Sequence, residues 1–330
     1  MVALLPVLSA AIAFGSVSLP LSTTFRVLSR ALFALDQTDS TPILQIVLNL
    51  RLPQALAAFV VGGGLSIIGV AMQALVRNPL AEPYILGVSS GASAGASLFY
   101  LGFLPTFIAA QVDITLAAFM GALLSITLVY LVARSREGLS VSRLLLAGVA
   151  MASLMAAISS FVLFASPDLN RMRAVLFWLM GSFEHVTWSD LPLAAGAAMI
   201  GLVVLMSLSR SLDALLIGDE PAKSLGIRVE SVKKVLIVLS ALVTGTLVSI
   251  SGAIGFIGLI IPHAVRSLLG VNHRYVLPGS FLAGGLFLVL ADTLARSLLP
   301  GQQVPVGIVT AIAGVPFFLF LLRRTDYQFK

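Results

Sequence analysis

Ten runs of mainly apolar residues punctuate the chain, at about 2–19, 53–75, 84–104, 112–133, 142–165, 192–209, 232–251, 253–269, 277–298 and 304–322. Each is close to the ~20 residues that a helix needs to cross the hydrocarbon core of a bilayer. With 58% hydrophobic and only 10% charged residues in 330, no water-soluble fold could hide the apolar surface. The pattern predicts an all-α, polytopic membrane protein of about ten transmembrane helices, forming one domain over residues 1–330. The run at Met1 lacks a basic segment before it and a small-x-small cleavage site, so it reads as the first span and not as a removable signal. Most interruptions are short. Those at 20–52 and 166–191 are long enough for extra structure.

The net charge of +6 comes from basic residues scattered singly between apolar runs, which speaks for membrane topology and against nucleic acid. Alternating the sides of ten spans puts Arg26, Arg30, Arg51, Arg171, Arg173 and Arg296 on one side. The other side then holds the remaining fourteen of the 20 lysines and arginines. Nine or eleven spans would scramble this segregation, and the positive-inside rule places both termini in the cytoplasm. Cysteine is absent, which excludes disulfides and thiolate metal sites. Residues 64–96 and 252–285 share a loose order of Gly-rich helix, basic residue, proline and second Gly/Ala-rich helix, which ordinary membrane hairpins also require.

The stretch ALVRNPLAEPYILGVSSGASAGA, residues 74–96, interrupts this apolar text with Arg77, Asn78, Pro79, Glu82 and Pro83. Gly87, Gly91 and Gly95 recur every four residues, with Ser90, Ser93 and Ser97 beside them, as close helix packing demands. Packing does not account for the prolines and Glu82. Irregular backbone at membrane depth is tolerated only against protein or a water-filled cavity, so the mouth of a translocation pathway is an equal expectation. A second polar entry, Ser140, Val141, Ser142 and Arg143, opens the run at 142–165, where the serines suit either helix caps or a gate.

The largest loop expected on the basic side, ALLIGDEPAKSLGIRVESVKK at 214–234, predicts a short helix outside the bilayer. Asp219 suits its N-cap, Glu220 and Pro221 its first turn, Lys223 its end and Gly226 a left-handed stop. A charged knob with nothing of its own to pack on reads as a docking element; a solvated loop is the plain alternative. GDEPAKS resembles the P-loop but is one residue short and has Ala222 where the second glycine belongs, so no nucleotide site is expected here. Asp292 lies inside an apolar run with Arg296 one turn on, a spacing that predicts local neutralisation. Arg51 and Arg296 are candidates for contact with an acidic partner outside. His185, His263 and His273 have no metal-ligand spacing, and no nucleophile motif appears.

The motifs RLPQALAAFVVGGGLSIIGVAMQALVRNPLAEPYILGVSSGASAGA, SRLLLAGVA, FWLMGSF, GDEPAKSLGI, SGAIGFIGLIIPHAVR, HRYVLPGSFLAGG, ADTLARSL and VPVGIVTAIAGVPFFLFLLRR, in this order over about residues 48–324, resemble those of the permease subunits of type II ABC importers for iron chelates, haem and vitamin B12. The resemblance implies a second permease subunit, identical or paired, and two cytoplasmic ATPase subunits that carry the ATP. It also implies a periplasmic or lipid-anchored substrate-binding protein, a cytoplasmic (inner) membrane of a bacterium or archaeon, and no cofactor held by this chain. By the same resemblance a coupling segment runs over about 213–232, with Asp219, Glu220, Pro221, Ala222, Lys223, Ser224, Leu225 and Gly226 entering a cleft on each ATPase. Ser140, Val141 and Ser142 match one cytoplasmic gate and Ser90 a second. Arg51 and Arg296 match arginines that dock the binding protein, and Arg173 matches a basic position outside the fifth span and is a candidate for the pathway. The family often reads RLPR where this chain reads RLPQ, so Gln54 removes one docking arginine. The expected cargo is an iron complex, ferric siderophore or haem, with vitamin B12 as the alternative. A proton-coupled secondary transporter using Asp292 is the rival class.

Overall fold

The computed structural model describes residues 11–15, 20, 24, 25, 27, 42–103, 105, 107, 111–135, 138–299 and 301–323. Most of the first expected span, Arg26, Arg30, Arg136, Arg324, Lys330 and both termini lie outside the described residues. The described chain is almost wholly helical. Its helices are α1 (Pro42–Val76), α2 (Val88–Tyr100), α3 (Ile114–Ala133), α4 (Val141–Ala165), α5 (Leu169–Leu179) and α6 (Leu191–Ser207). After them come α7 (Ser209–Ile217), α8 (Asp219–Ser224), α9 (Val229–Ser251), α10 (Ile257–Leu269), α11 (His273–Ser297) and α12 (Val306–Arg323). Among the described residues the β structure is a two-residue antiparallel pair, Arg134–Ser135 with Gly138–Leu139, in the turn between α3 and α4, and an isolated bridge between Leu299 and Gln302.

Each of the nine apolar runs from 53–75 onward carries one of these helices, and five are long and apolar enough to cross a bilayer unaided. α6 and α7 bend by 62° where they meet. Two helices fall short of the expected spans. α2 and α10 have only 13 residues each, because the backbone before them turns through left-handed conformations at Gly87 (φ 73), Gly252 (φ 68) and Phe256 (φ 70). Gly87 therefore lies outside the glycine face expected of α2. Pro83–Leu86 forms a single 3₁₀ turn ahead of it.

α1 is the axis of the bundle, with α6, α9, α10 and α11 packed around it. Nearly every residue from Val61 to Leu75 is buried, on all sides of the helix. A helix apolar all round belongs in such a place. What lets its neighbours approach is the missing side chain: a Cβ at Gly69 would lie 2.1 Å from the carbonyl oxygen of Gly258 in α10. Backbones in contact gain dispersion energy that lipid tails cannot supply. Within α1 a π-helical segment, Ile46–Arg51, gives way to regular α-helix at Leu52, and Pro53, which has no N–H to donate, stands at this change of hydrogen-bonding pattern.

Candidate functional site

At one end of the bundle α8 projects as a short knob. Gly218 (φ 131) precedes it, and no side chain caps its N-terminus. Asp219 does not serve as the cap its position suggested: its carboxylate binds Lys233 Nζ at 2.5 Å, tying α8 to the first turns of α9. Lys233 is almost fully buried, so this pairing, together with the buried Ala222, seats the knob on the body. The expectation of a helix with nothing of its own to pack on is corrected accordingly. Gly226 (φ 82) ends α8, with Ile227 N–H donating to Ala222 O at 3.1 Å and Gly226 N–H to Lys223 O at 2.9 Å. That pair of bonds satisfies the last carbonyls and needs a left-handed residue, which glycine supplies without strain. Lys223 pairs with Glu220 at 2.7 Å, and this hydrogen bond raises the ammonium above its ordinary pKa. The knob's outer surface shows Pro221, Ser224 and two apolar side chains, Ile217 (69% exposed) and Leu225 (67% exposed).

Two further contacts join this knob to the bundle. Arg77, left-handed at φ 55, ends α1 and reaches toward Gly218: a Cβ there would lie 3.5 Å from Arg77 Nη1. Asp213 on α7 accepts from the backbone N–H of His273 at 3.0 Å and meets its Nδ1 at 2.6 Å, fastening α7 to the start of α11. Burial alone would raise the Asp213 pKa, yet its hydrogen bonds with His273 prevail and hold the carboxyl below its ordinary value. Neither contact was legible in the sequence, since Asp213 and His273 are 60 residues apart.

The irregular stretch 77–87 is braced by side chains that sequence reading singled out only in part. Asn78 Oδ1 accepts from Leu80 N–H at 2.9 Å, setting the turn after α1. Tyr84 Oη donates to Ile254 O at 2.7 Å and accepts from Ile254 N–H at 3.1 Å. Together these bonds clamp the break between α9 and α10. Gln73, buried in α1, donates to Gly258 O at 3.1 Å and accepts from Arg266, so the same region is stitched across α1 and α10. A glutamine in an apolar run was the available signal.

The four gate candidates sit on two packed helices. Ser140 caps α4, accepting from Arg143 N–H at 3.5 Å; Val141, half-buried, and Ser142, exposed, follow in its first turn. Ser90 is half-buried in the first turn of α2. Ser125 on α3 donates to Gly87 O at 2.8 Å and so fixes the start of α2. A Cβ at Gly91 would lie 2.5 Å from Gly121 O, so α2 lies backbone to backbone on α3.

At the opposite end Arg51 and Arg296 are both buried instead of presented outward. Arg51 Nη1 donates to the carbonyls of Ile12 (2.7 Å) and Ala13 (3.1 Å); Arg296 donates to Ala11 O at 3.3 Å. Arg296 also forms the ion pair with Asp292, at 2.9 Å. Both arginines border a cavity of about 400 Å³ with Gln54, Glu184 and His185. Gln54 donates to Glu184 O at 3.3 Å, so where an arginine would project, the amide ties α1 to the segment before α6. Arg173, exposed on α5, borders a neighbouring cavity of about 430 Å³ with Tyr100, Phe177, Trp178 and Asp190. Glu184 and His185 line both cavities. Among the described residues no three His, Asp or Glu side chains gather as a metal site.

Comparison with known proteins gives this geometry a family. Residues 2–324 match the FecCD transport family. The chain is 42% identical to a cobalamin import system permease of Halobacterium salinarum over 283 residues, 86% of this chain and 74% of that one. It is 38% identical to a hemin transport system permease of Yersinia pestis over 99% of this chain and 96% of that one. It is likewise 38% identical to an Fe(3+)-citrate import system permease of Bacillus subtilis over 84% and 81%. A solved structure described as an inward-facing transporter of the metal-chelate ABC type superposes with a TM-score of 0.80 at 30% identity, covering 98% of this chain and 96% of that one. A knob carried on a buried bundle, an irregular stretch at 77–87 and a match along nearly the whole chain thus converge: the protein belongs to the FecCD transport family and is a membrane permease of the ABC importer type.

Proposed function

We propose that the chain moves an iron complex, ferric siderophore or haem, across the cytoplasmic membrane of a bacterium or archaeon, driven by ATP hydrolysed on two separate subunits. The observation that carries the coupling mechanism is α8: a helix of six residues seated by Asp219–Lys233, flanked by exposed Ile217 before it and exposed Leu225 after it. Residues 219–226 enter a cleft on each ATPase, with the termini and α8 on the cytoplasmic side. Closure of the ATPases pushes α8, and the Lys233 pair passes the displacement into α9. The Tyr84 clamp at the α9–α10 break then carries it to the start of α2. Ser90 on α2 and Ser140, Val141 and Ser142 on α4 form the cytoplasmic gate that this movement opens and closes.

A second copy of the chain completes the pathway beside α4, whose apolar face is largely uncovered. A substrate-binding protein docks at the end that holds Arg51 and Arg296. Their carbonyl contacts with residues 11–13 must loosen for either guanidinium to reach an acidic partner, and Gln54 offers no charge in support. Arg173 lies on the cargo's route through its cavity. The chain itself holds no cofactor and hydrolyses nothing. Its 42% identity to a cobalamin permease supports vitamin B12 as a second reading of the cargo. The proton-relay rival is disfavoured because Asp292 is buried against Arg296.

ATP-driven uptake into liposomes holding the permease and its ATPase distinguishes these readings. Haem, a ferric siderophore and cobalamin are each supplied on a binding protein. Accumulation of an iron complex alone supports the reading; accumulation of cobalamin alone replaces the cargo. Uptake without the ATPase sinks the mechanism and returns Asp292 to the centre.

A further inference from the structure

Away from the gate and the knob, a groove of about 320 Å³ runs between α3 and α9. Its walls are mostly apolar, built from Leu123 and Ile126 on one helix and Val238 and Leu242 on the other; Thr127 also lines it, its hydroxyl donating back to Leu123 O at 2.7 Å, as do Tyr130 and Lys234. The last two belong to the same end of the bundle: Tyr130 lies one turn before α3 stops, and Lys234 lies in the second turn of α9, just beyond α8. The charge and the phenol thus sit at the mouth, where a bilayer changes from hydrocarbon to headgroup, and the Thr127 hydroxyl is spent on its own helix.

The charges at this mouth are unequal in their partners. Lys223 is paired with Glu220 and Lys233 with Asp219, whereas Lys234 is exposed and makes no ion pair among the described residues. Exposed Arg134, the residue after α3, adds a second positive charge at the same end. Val238 and Leu242 stay exposed, so the groove opens sideways along the helices and not into the core.

We propose that this groove is a binding site for an anionic glycerophospholipid of the leaflet on the α8 side. The acyl chain lies against Leu123, Ile126, Val238 and Leu242. The Lys234 ammonium, carried on its apolar stem, meets the phosphate and the anionic headgroup, and Tyr130 holds the interface between the two. Charge complementarity selects the occupant: a zwitterionic lipid fills the apolar wall equally well but brings no net charge to Lys234. The site is independent of the cargo and of the gate assignments, and so stands whether or not the transport reading holds.

Native mass spectrometry of the full chain in detergent tests it, with phosphatidylglycerol and phosphatidylcholine of identical acyl chains in competition. The wild type is expected to retain phosphatidylglycerol preferentially. Lys234→Gln, an exposed change that leaves packing untouched, should weaken that retention about fivefold, the worth of one basic residue at a membrane surface, with phosphatidylcholine unaffected. Lys234→Arg should restore it. Val238→Trp, which fills the groove, should reduce retention of both lipids. Equal retention of phosphatidylglycerol by the wild type and Lys234→Gln, or no preference between the lipids in the wild type, overturns the proposal.

Discussion

α1 and α4 are both long, both almost uncharged and about equally apolar, yet 83% of the most apolar window of α1 is buried inside the chain and only 28% of that of α4. The residues that separate them are small. α1 carries Gly62, Gly63 and Gly69, which let α10 and α11 come to backbone contact, and Gly64, which admits Leu247 of α9, whereas α4 has one glycine, Gly148, and exposes Leu146, Val149, Phe161 and Phe164. In lipid, apolarity does not decide which helix is inside, because the solvent is as greasy as the core. Close packing decides it. The uncovered face of α4 is then available to lipid, to a second copy and to the cargo route.

The comparison breaks hardest at Gly69. Gly69→Leu forces a side chain into the Gly258 carbonyl and should cost about 3 kcal/mol, the upper end of the usual overpacking range, seen as loss of monodisperse protein in detergent or a collapse of the melting temperature. A folded, fully active variant would show that backbone contact is not what centres α1. Asp219→Asn sharpens the picture at the knob: it leaves the buried Lys233 without its counter-charge and should destabilise by about 2 kcal/mol, measured by thermal unfolding of the full chain.

A smaller effect is expected at the α7–α11 contact. The Asp213 carboxyl titrates below its ordinary value in the folded protein, so its contribution is complete at neutral pH. It fades as pH falls from about 4 through the lowered value. The melting-temperature difference between the wild type and Asp213→Asn should therefore shrink on acidification; a constant gap would show that the contact acts through shape and not charge. The smallest effect belongs to Val149→Ala on the open face of α4, which should stay within about 0.5 kcal/mol. A large loss there would mean that α4 is covered in the assembled protein by a surface that depends on Val149.

Much of this was legible beforehand because the bilayer imposes length and hydropathy on every crossing, so nine apolar runs located nine helices, eight of them within about four residues at each end, while α1 starts at Pro42, well before the run at 53–75. The left-handed stop at Gly226 and the Asp292–Arg296 pair were equally readable, since both depend on near neighbours in sequence. Long-range contacts were not. Nothing local announces that Tyr84 meets Ile254 170 residues away, that Asp219 abandons capping for Lys233, or that Arg51 turns inward to the carbonyls of Ile12 and Ala13. The short α2 and α10 were missed for another reason: a run of apolar letters gives no hint that Phe256 adopts a positive φ, a conformation that other residues hold in place.

The transmission of ATP work through α8 is tested most directly by Leu225→Asp, placed at the exposed tip where it disturbs nothing inside the chain. ATP-driven uptake is measured in liposomes beside the melting temperature of the purified permease. Uptake should fall to background while the melting temperature stays at the wild-type value. Undiminished uptake by Leu225→Asp would contradict the assignment of α8 as the coupling helix.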